Sequence, residues 1–244
     1  MHAIPLVATS LALVNQTGTF VYQSLRAIRD PTDAVAVSAV GELSSLDALE
    51  NMKHAMMSDI RGRSILKHQP IVDDAVLERA RAQPEDSFGR TYAAYMDHNA
   101  FTPNGRVAVK HIDDPLLAYV MTRYRQCHDY LHTVTGCGRT VDEELAVKLL
   151  EWQHTGLPLG LLAIAGGAPH LSSTQRRHMP LYMEWARQNA PKYIHGEKQT
   201  PCYLNVVWED LLERPLKEVQ DLVNITPLAA FLYEKTKEKV KNNL

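Results

Sequence analysis

Cysteine is scarce in this sequence, with three residues in 244: Cys127, Cys137 and Cys202. An odd, sparse count without a recognisable signal peptide argues for free thiols in a reducing compartment and against a disulfide-bonded secreted domain. Long apolar runs are also missing. The first apolar segment, from Ala3 to Val14, falls short of the ~20 residues that a membrane-spanning helix needs. The composition therefore predicts a soluble globular protein.

The sequence has no strong excess of charge of either sign. Lysine and arginine number 26 against 28 aspartate and glutamate residues, a net charge of −2. No basic run occurs, so we expect no nucleic-acid partner. The first segment lacks the charged start of a secretory signal and the Arg-rich pattern of a transit peptide. We therefore expect either a bacterial protein or a mature protein.

Helical spacing of apolar residues dominates the chain. No repeat or linker interrupts it, so we predict one all-α domain over residues 1–244, built as a multi-helix bundle. The segment Arg61-Gly62-Arg63 is predicted as a loop, and Val107 to Ile112 as extended. The predicted helices are Phe20 to Arg29, Ala34 to Val40, Leu46 to Met57, a short helix capped by Asp73 or Asp74 and running to Ala82, Ser87 to His98, a helix that starts at Asp113-Asp114-Pro115, Val141 to about His154, a helix opened by Ser172 or Ser173 and running to Gln188, and Leu228 to Lys241, with a short helical segment from Trp208 to Glu213.

A cluster of ionisable residues lies on two of these helices. His128 and His132 are four residues apart, which places both imidazoles on one face of a helix. Asp129 lies about 100° further round that helix. Gly136 and Gly138 then break the helix, and the next helix can bring the carboxylate of Glu144 back over the first. Two imidazoles and two carboxylates suit zinc, iron, manganese or magnesium.

Other interpretations of the cluster stay open. Both histidines can lie on a solvated helix face without a metal, and Asp129 can orient His128 instead of binding the ion. Cys127 and Cys137 are alternative soft ligands, although their spacing fits no common zinc pattern. Glu151 follows Glu144 by seven residues, so it can support the ligands from the same helix face.

The most apolar stretch, Leu157 to Ala168, contains Gly160, Gly166 and Gly167. It predicts either a buried central helix or one wall of an apolar, lipid-sized cavity in which the three glycines leave room for a chain. The methionine-rich helix from Leu46 to Met57 is a second candidate wall, although methionine stripes are more often core.

The motif resembles the signature of the coenzyme Q (ubiquinone) biosynthesis protein 4 family, H-D-x-x-H followed after eleven residues by Glu. It reads here His128-Asp129-x-x-His132-x11-Glu144. The resemblance covers roughly residues 32–230. Its further segments are Gly41-Glu42-Leu43, Gly62-Arg63-x-Ile65-Leu66, Phe88-Gly89-x-x-Tyr92, Ala118-Tyr119-Val120-Met121-x-Arg123-Tyr124-Arg125 and Val147-Lys148-x-x-Glu151-x-x-x-x-Gly156-Leu157-Pro158.

The resemblance implies an all-α protein of ubiquinone synthesis that binds a divalent metal through His128, Asp129, His132 and Glu144. It implies peripheral contact with the membrane that holds polyprenylated intermediates, at the bacterial inner membrane or the mitochondrial matrix side. It also implies other quinone-biosynthesis proteins as partners. The implied activity removes the ring carboxylate of a polyprenylated hydroxybenzoate and couples this to ring hydroxylation. Arg125 is a candidate partner for that carboxylate.

Two other functions are compatible with the sequence. A non-catalytic lipid-binding scaffold would hold prenylated intermediates for partner enzymes and close the metal shell with protein ligands. An all-α phosphohydrolase would need a second His-Asp pair, which the sequence does not clearly offer.

A homodimer is compatible with each of these functions. Arg123 is expected to form an ion pair within the bundle.

Overall fold

Aspartate or serine side chains cap several of the helices that the structure describes. The computed structural model describes residues 5–30, 33–191, 193–194, 197–198 and 202–242. Within them the chain forms twelve α-helices and one antiparallel ladder of two-residue strands, β1 (Tyr193–Ile194) and β2 (Glu197–Lys198). The helices are α1 Pro5–Arg29, α2 Ala34–Leu43, α3 Leu46–Ser58, α4 Ile60–His68, α5 Asp74–Arg81, α6 Phe88–His98, α7 Pro115–Thr135, α8 Val141–Thr155, α9 Pro158–Gly167, α10 Ser173–Gln188, α11 Leu216–Val223 and α12 Leu228–Asn242. The predicted all-α, single-domain fold is confirmed.

The bounds of α7 and α8, the two helices of the motif, follow from local chemistry. The Asp114 carboxylate accepts the backbone N–H groups of Leu116 and Leu117 at 2.8 and 2.9 Å, and Pro115 supplies a first-turn residue without an N–H. Each helix ends at a glycine, Gly136 or Gly156, with φ of +67°. A side chain there would strain the backbone, so these two positions favour glycine.

The core surrounds α7. This helix contacts α3, α4, α6, α8 and α11. Phe88, Tyr92, Tyr130 and Trp208 form an aromatic cluster in which neighbouring ring centroids lie 4.6–5.5 Å apart. All four side chains are almost fully buried, and each contributes on the order of 2–3 kcal/mol from apolar burial. The core therefore fixes the direction in which α7 presents its polar face.

The predicted loop at Arg61-Gly62-Arg63 is wrong, because these residues lie inside α4. Asp59 caps this helix by accepting the N–H groups of Arg61 and Gly62 at 2.8 and 3.1 Å. Gly62 is needed for packing, since a Cβ there would come within 2.2 Å of the Met56 carbonyl oxygen. The sequence pattern did not distinguish Gly62, which allows close packing inside a helix, from a glycine in a loop.

Four further segments differ from the sequence prediction. Helix α1 begins well before Phe20, residues 208–210 form a single 3₁₀ turn, and 107–112 contain no strand. The segment after Pro215 forms α11, for which no helix was predicted.

The stretch 157–168 does form a helix, α9, but not the buried central helix that was one of its two interpretations. Gly160 is the buried residue of α9, while Leu161 and Leu162 are more than a third exposed. None of the helices that the structure describes is both long and apolar enough to cross a bilayer.

Candidate metal centre and cleft

The turn between α7 and α8 brings three donor side chains to one point. The Nε2 atoms of His128 and His132 lie 3.1 Å apart. Glu144 places Oε1 3.3 Å from His128 Nε2 and Oε2 3.1 Å from His132 Nε2. These three residues are the ones among the described His, Cys, Asp and Glu whose ligand atoms all lie within 4.8 Å of one another. Helix α7 supplies both imidazoles, and the first turn of α8 supplies the carboxylate.

Neighbouring acceptors orient both imidazoles. His132 Nδ1 lies 3.0 Å from the carbonyl oxygen of Cys137, which can only accept, so Nδ1 carries the hydrogen. His128 Nδ1 lies 2.9 Å from Oε1 of Glu151 and donates to it in the same way. Each imidazole therefore turns Nε2 toward Glu144, the arrangement in which a histidine binds a metal.

Glu151 collects three donors behind His128. Its carboxylate is 1% exposed and accepts from His128, from Lys148 Nζ at 2.8 Å and from the Tyr124 hydroxyl at 2.7 Å. Burial alone would raise the pKa of Glu151, but Lys148 and His128 lower it to about 2. Glu151 is therefore an anion at neutral pH and holds His128 in place.

The charges of the cluster are strongly coupled. Burial opposes the charge on Glu144, yet His128, His132 and Lys148 together hold its pKa well below the usual value. Burial and Lys148 lower the pKa of His128, but Glu151 and Glu144 prevail and raise it. The carboxylates around His128 therefore favour a positive charge at this point. That charge can be a proton on the imidazole or a metal ion bound to it.

The donor set fits a divalent first-row ion. Donor atoms that share one ion at about 2.0–2.2 Å lie about 3.0–3.5 Å apart, and the three donors here are 3.1–3.3 Å apart. Two imidazoles and a carboxylate suit zinc, manganese or iron, and leave coordination positions for other ligands. The thiols of Cys127 and Cys137 lie outside the group, and burial raises the pKa of each to about 12.

Asp129 lies apart from the three donors. Its side chain is buried and forms an ion pair with Arg106, which belongs to the loop before α7. Asp129 is one residue beyond His128, so it leaves the helix about 100° away from the imidazole. The structure thus gathers three of the four predicted ligands and gives the fourth a different partner.

The three donors lie beside a cleft of about 690 Å³. His128, Asp129 and Glu144 line it, together with four cationic side chains, those of Arg106, Arg125, Arg139 and Lys148. Its apolar lining comes from Ala34, Val37, Met96, Ala100, Phe101, Val107 and Leu159. The cleft beside the donors is therefore lined by both cationic and apolar groups.

Arg125, the candidate carboxylate partner, is already engaged in the fold. It donates to Glu42 at 2.6 Å, to the Ser38 carbonyl at 3.0 Å and to the Val107 carbonyl at 3.2 Å. Glu42 is itself buried and also accepts the backbone N–H groups of Lys110 and His111. Arg123 pairs with Glu209 and the Val206 carbonyl inside the core, as the sequence suggested.

The three glycines of α9 do not line this cleft. A Cβ on Gly160 would lie 2.6 Å from the Lys148 carbonyl, and one on Gly167 would lie 3.0 Å from the Leu145 side chain. These two glycines therefore let α9 approach α8. Nothing lies within 4 Å of a Cβ on Gly166. Within the described residues, helix α3 also contributes nothing to the cleft, because Leu49, Met52 and Met56 pack into the core.

Sequence reasoning missed Arg106 and Lys148. Lys148 precedes Glu151 by three residues, so the helical spacing of opposite charges was a usable signal. Arg106 follows a turn at residues 103–105 and approaches Asp129 only through the path of the loop. No local pattern in the sequence marks that contact.

The fold and the donor cluster define an all-α protein with a polar centre open to a partly apolar cleft. A similar fold occurs in the crystal structure of a Nostoc punctiforme protein described provisionally as a ubiquinone biosynthesis protein, with a TM-score of 0.65 over 85% of this chain and 97% of that one, at 14% identity.

The sequence model of the family Coenzyme Q (ubiquinone) biosynthesis protein Coq4 matches residues 7–229. Over 181 residues the chain is 62% identical to the mitochondrial ubiquinone biosynthesis protein COQ4 homologue of Leishmania infantum, covering 74% of this chain and 97% of that protein. Over 222 residues it is 51% identical to the corresponding Trypanosoma brucei brucei protein, covering 91% and 89%.

The chain belongs to the Coenzyme Q (ubiquinone) biosynthesis protein Coq4 family, so the predicted resemblance is confirmed. Its involvement in ubiquinone biosynthesis follows from that membership. A bacterial source is not supported, because these sequence relatives are proteins of Leishmania and Trypanosoma that are named as mitochondrial.

Proposed function

We propose that this protein binds one divalent metal ion through His128, His132 and Glu144 and acts on a polyprenylated hydroxybenzoate in the adjoining cleft. The observation that carries the proposal is the convergence of these donors, at 3.1–3.3 Å, beside a cleft lined by both cationic and apolar residues. A hydroxybenzoate with a prenyl tail would match both kinds of lining, because its ring is anionic and its chain is apolar.

The proposed reaction exchanges the ring carboxyl for a hydroxyl group. Carbon dioxide leaves, one atom of dioxygen enters the ring, and a two-electron reductant with two protons takes the other atom to water. The bound ion would supply Lewis acidity toward an oxygen of the substrate. Zinc, magnesium, manganese and iron are candidates, and redox participation would favour iron or manganese.

The protein groups around the three donors hold the metal-binding side chains in place and orient them. Cys137 and Glu151 fix the two imidazoles through their Nδ1 atoms. Lys148 contacts Glu151 and lies 3.9 Å from Glu144, so it offsets part of the negative charge beside the substrate. Arg139 covers the ring of Phe101 in the lining of the cleft, with 4.5 Å between the guanidinium carbon and the ring centroid.

The tail would follow the apolar lining toward α2 and α9. Val37 of α2 and Leu159 of α9 line the cleft, and α1 packs on α2. Among residues 15–29 of α1, whose side chains the structure describes, four apolar side chains are more than half exposed: Val21, Tyr22, Leu25 and Ile28. We propose that this surface rests on the membrane that carries the prenylated intermediates, in mitochondria, next to other proteins of quinone biosynthesis.

The test compares metal content and turnover in the same preparations. Wild type is loaded in turn with iron, manganese, zinc or magnesium and given farnesylated 4-hydroxybenzoate, dioxygen and a reductant. We expect release of carbon dioxide and a ring-hydroxylated product with at least one metal. His132→Ala should lose both the metal and the product. His178→Ala on the exposed face of α10 serves as the control.

Two results would contradict the proposal. Stoichiometric metal in His132→Ala would remove the ligand assignment. Tight binding of the prenylated substrate without any product, under every metal and reductant tested, would instead favour the lipid-binding scaffold.

A further inference from the structure

We propose that Arg106 binds the carboxylate of the ring substrate, and that Asp129 orients Arg106 instead of completing the metal shell. The identity of the ligand rests on the proposed function. The geometry that carries the inference is the contact between a cleft-lining arginine and a buried aspartate adjacent to a metal-binding histidine.

Arg106 and Asp129 form an ion pair at the wall of the cleft. The Asp129 side chain is 6% exposed, whereas that of Arg106 is 29% exposed, so the arginine is the member that solutes can reach. Both residues line the cleft that also contains His128 and Glu144. An anion bound by Arg106 would therefore lie in the same cleft as the three donors.

Among the four cationic side chains of the cleft, Arg106 combines spare hydrogen-bonding capacity with a position fixed by an ion pair. Arg139 is exposed and lies over the ring of Phe101. Arg125 donates to three oxygens of the fold, including Glu42. Lys148 is held by Glu151. In the described part of the chain, Asp129 is the ion-pair partner of Arg106, and one carboxylate cannot use all five N–H donors of a guanidinium. The remaining donors form the planar fork that recognises a carboxylate.

Asp129 has a role in this arrangement that needs no metal. The carboxylate of Asp129 fixes the direction of the Arg106 guanidinium, and the guanidinium gives the buried carboxylate a counter-ion. The pairing also explains why an aspartate adjoins His128 in the sequence while its carboxylate stays outside the group of three donors.

Metal analysis tests the role of Asp129. Asp129→Asn keeps the shape of the side chain and removes its charge. We expect it to retain the wild-type stoichiometry of zinc or manganese after dialysis, whereas His132→Ala retains none. Loss of metal from Asp129→Asn to the level of His132→Ala would overturn the assignment and make Asp129 a ligand.

Binding of small aromatic probes tests Arg106. We compare 4-hydroxybenzoate with its neutral analogue 4-hydroxybenzamide by ligand-observed NMR at millimolar concentrations. Wild type should prefer the carboxylate, and Arg106→Gln should lose that preference by roughly tenfold or more while binding the amide unchanged. Arg106→Lys keeps the positive charge but lacks the planar guanidinium, so its preference for the carboxylate should lie between those of wild type and Arg106→Gln. It also provides the comparison if Arg106→Gln fails to fold. Lys217→Gln on exposed α11 is the matched control.

The metal-free variant separates this proposal from the proposed function. His132→Ala should still prefer 4-hydroxybenzoate, because Arg106 remains. If the preference for 4-hydroxybenzoate disappears in His132→Ala but survives in Arg106→Gln, the metal binds the carboxylate of the probe. That result would overturn the role of Arg106. Wild type without any preference for the carboxylate would overturn it as well. Absence of turnover bears on the proposed function alone, because neither binding measurement requires a reaction.

Discussion

At the scale of single residues, the donor cluster depends on side chains that lie outside the three donors. Glu151 is buried and accepts hydrogen bonds from His128, Lys148 and Tyr124. It holds the Nδ1 hydrogen of His128 and thereby leaves Nε2 available as a ligand. A carboxylate behind a histidine also makes the imidazole a stronger donor. Glu151 should therefore tune the metal affinity without direct contact with the ion.

We expect Glu151→Gln to weaken metal binding roughly tenfold to a hundredfold, because the neutral amide polarises His128 less. The measurement is a competition titration with a chromogenic chelator. Glu218→Gln, which changes an exposed glutamate of α11, should leave the affinity unchanged. Wild-type affinity in Glu151→Gln would show that His128 does not rely on this carboxylate.

At the scale of elements, a buried ion pair connects α7 to the segment 202–212. Arg123 is fully buried and donates to both carboxylate oxygens of Glu209 and to the Val206 carbonyl. These contacts hold the segment 202–212 against the helix that carries both histidines. Removing one partner would leave an uncompensated charge in the core.

Glu209→Gln should lower the free energy of unfolding by about 3–5 kcal/mol, since Arg123 stays buried without its counter-ion. Denaturant unfolding followed by circular dichroism measures the change. Asp221→Asn breaks an exposed pair with Lys217 and should have little effect. Equal effects from the two substitutions would mean that the buried pair adds no more than a surface pair.

The contact between α8 and α9 depends on close approach at one glycine. A Cβ on Gly160 would come within 2.6 Å of the Lys148 carbonyl and 3.0 Å of the Trp152 Cβ. The next residue toward the N-terminus, Leu159, lines the cleft. A displacement of α9 would therefore alter both the stability and the apolar wall.

Gly160→Ala should destabilise the fold by about 1–3 kcal/mol through overpacking. Gly166→Ala is the matched control in the same helix, because a Cβ there meets nothing within 4 Å. It should leave the stability unchanged or raise it by up to about 1 kcal/mol through helix propensity. Thermal unfolding of both variants tests this order, and a less stable Gly166→Ala would contradict it.

At the scale of the whole molecule, apolar side chains are exposed on α9, which lines the cleft, and on α1, which packs on the cleft-lining helix α2. Leu25 and Ile28 of α1 are more than half exposed, and Leu161 and Leu162 of α9 are more than a third exposed. Helix α2 contacts both α1 and α9 and contributes Val37 to the cleft. This placement would give a membrane-bound substrate a short path to the donor cluster.

The double variant Leu25→Glu/Ile28→Glu should reduce binding to vesicles of phosphatidylcholine and cardiolipin about tenfold or more, because charge would replace apolar contact with the lipid. Co-sedimentation measures the bound fraction. Tyr233→Glu/Val240→Glu on α12 changes two equally exposed side chains elsewhere and should bind like wild type. The same loss in both variants would mean that general surface charge, and not α1, controls the contact.

Local patterns in the sequence determined the fold class and the core of the candidate site. The period of apolar residues predicted most helices, Asp114 and Pro115 predicted the start of α7, and Gly136 predicted its end. The spacing of His128 and His132 placed two imidazoles on one face of that helix. These inferences succeed because the interactions behind them span only one or two helical turns.

Tertiary structure alone decided the partners of the charged residues. Arg125 meets Glu42 across 83 residues of sequence, and Asp129 meets Arg106 through the path of a loop. Tertiary packing also left α9, the most apolar helix, half exposed against α8. It likewise placed Gly62 inside α4, where the sequence predicted a loop. Spacing fixes the direction in which a side chain leaves its own helix. The group it meets depends on how distant segments pack, and composition and period carry no record of that.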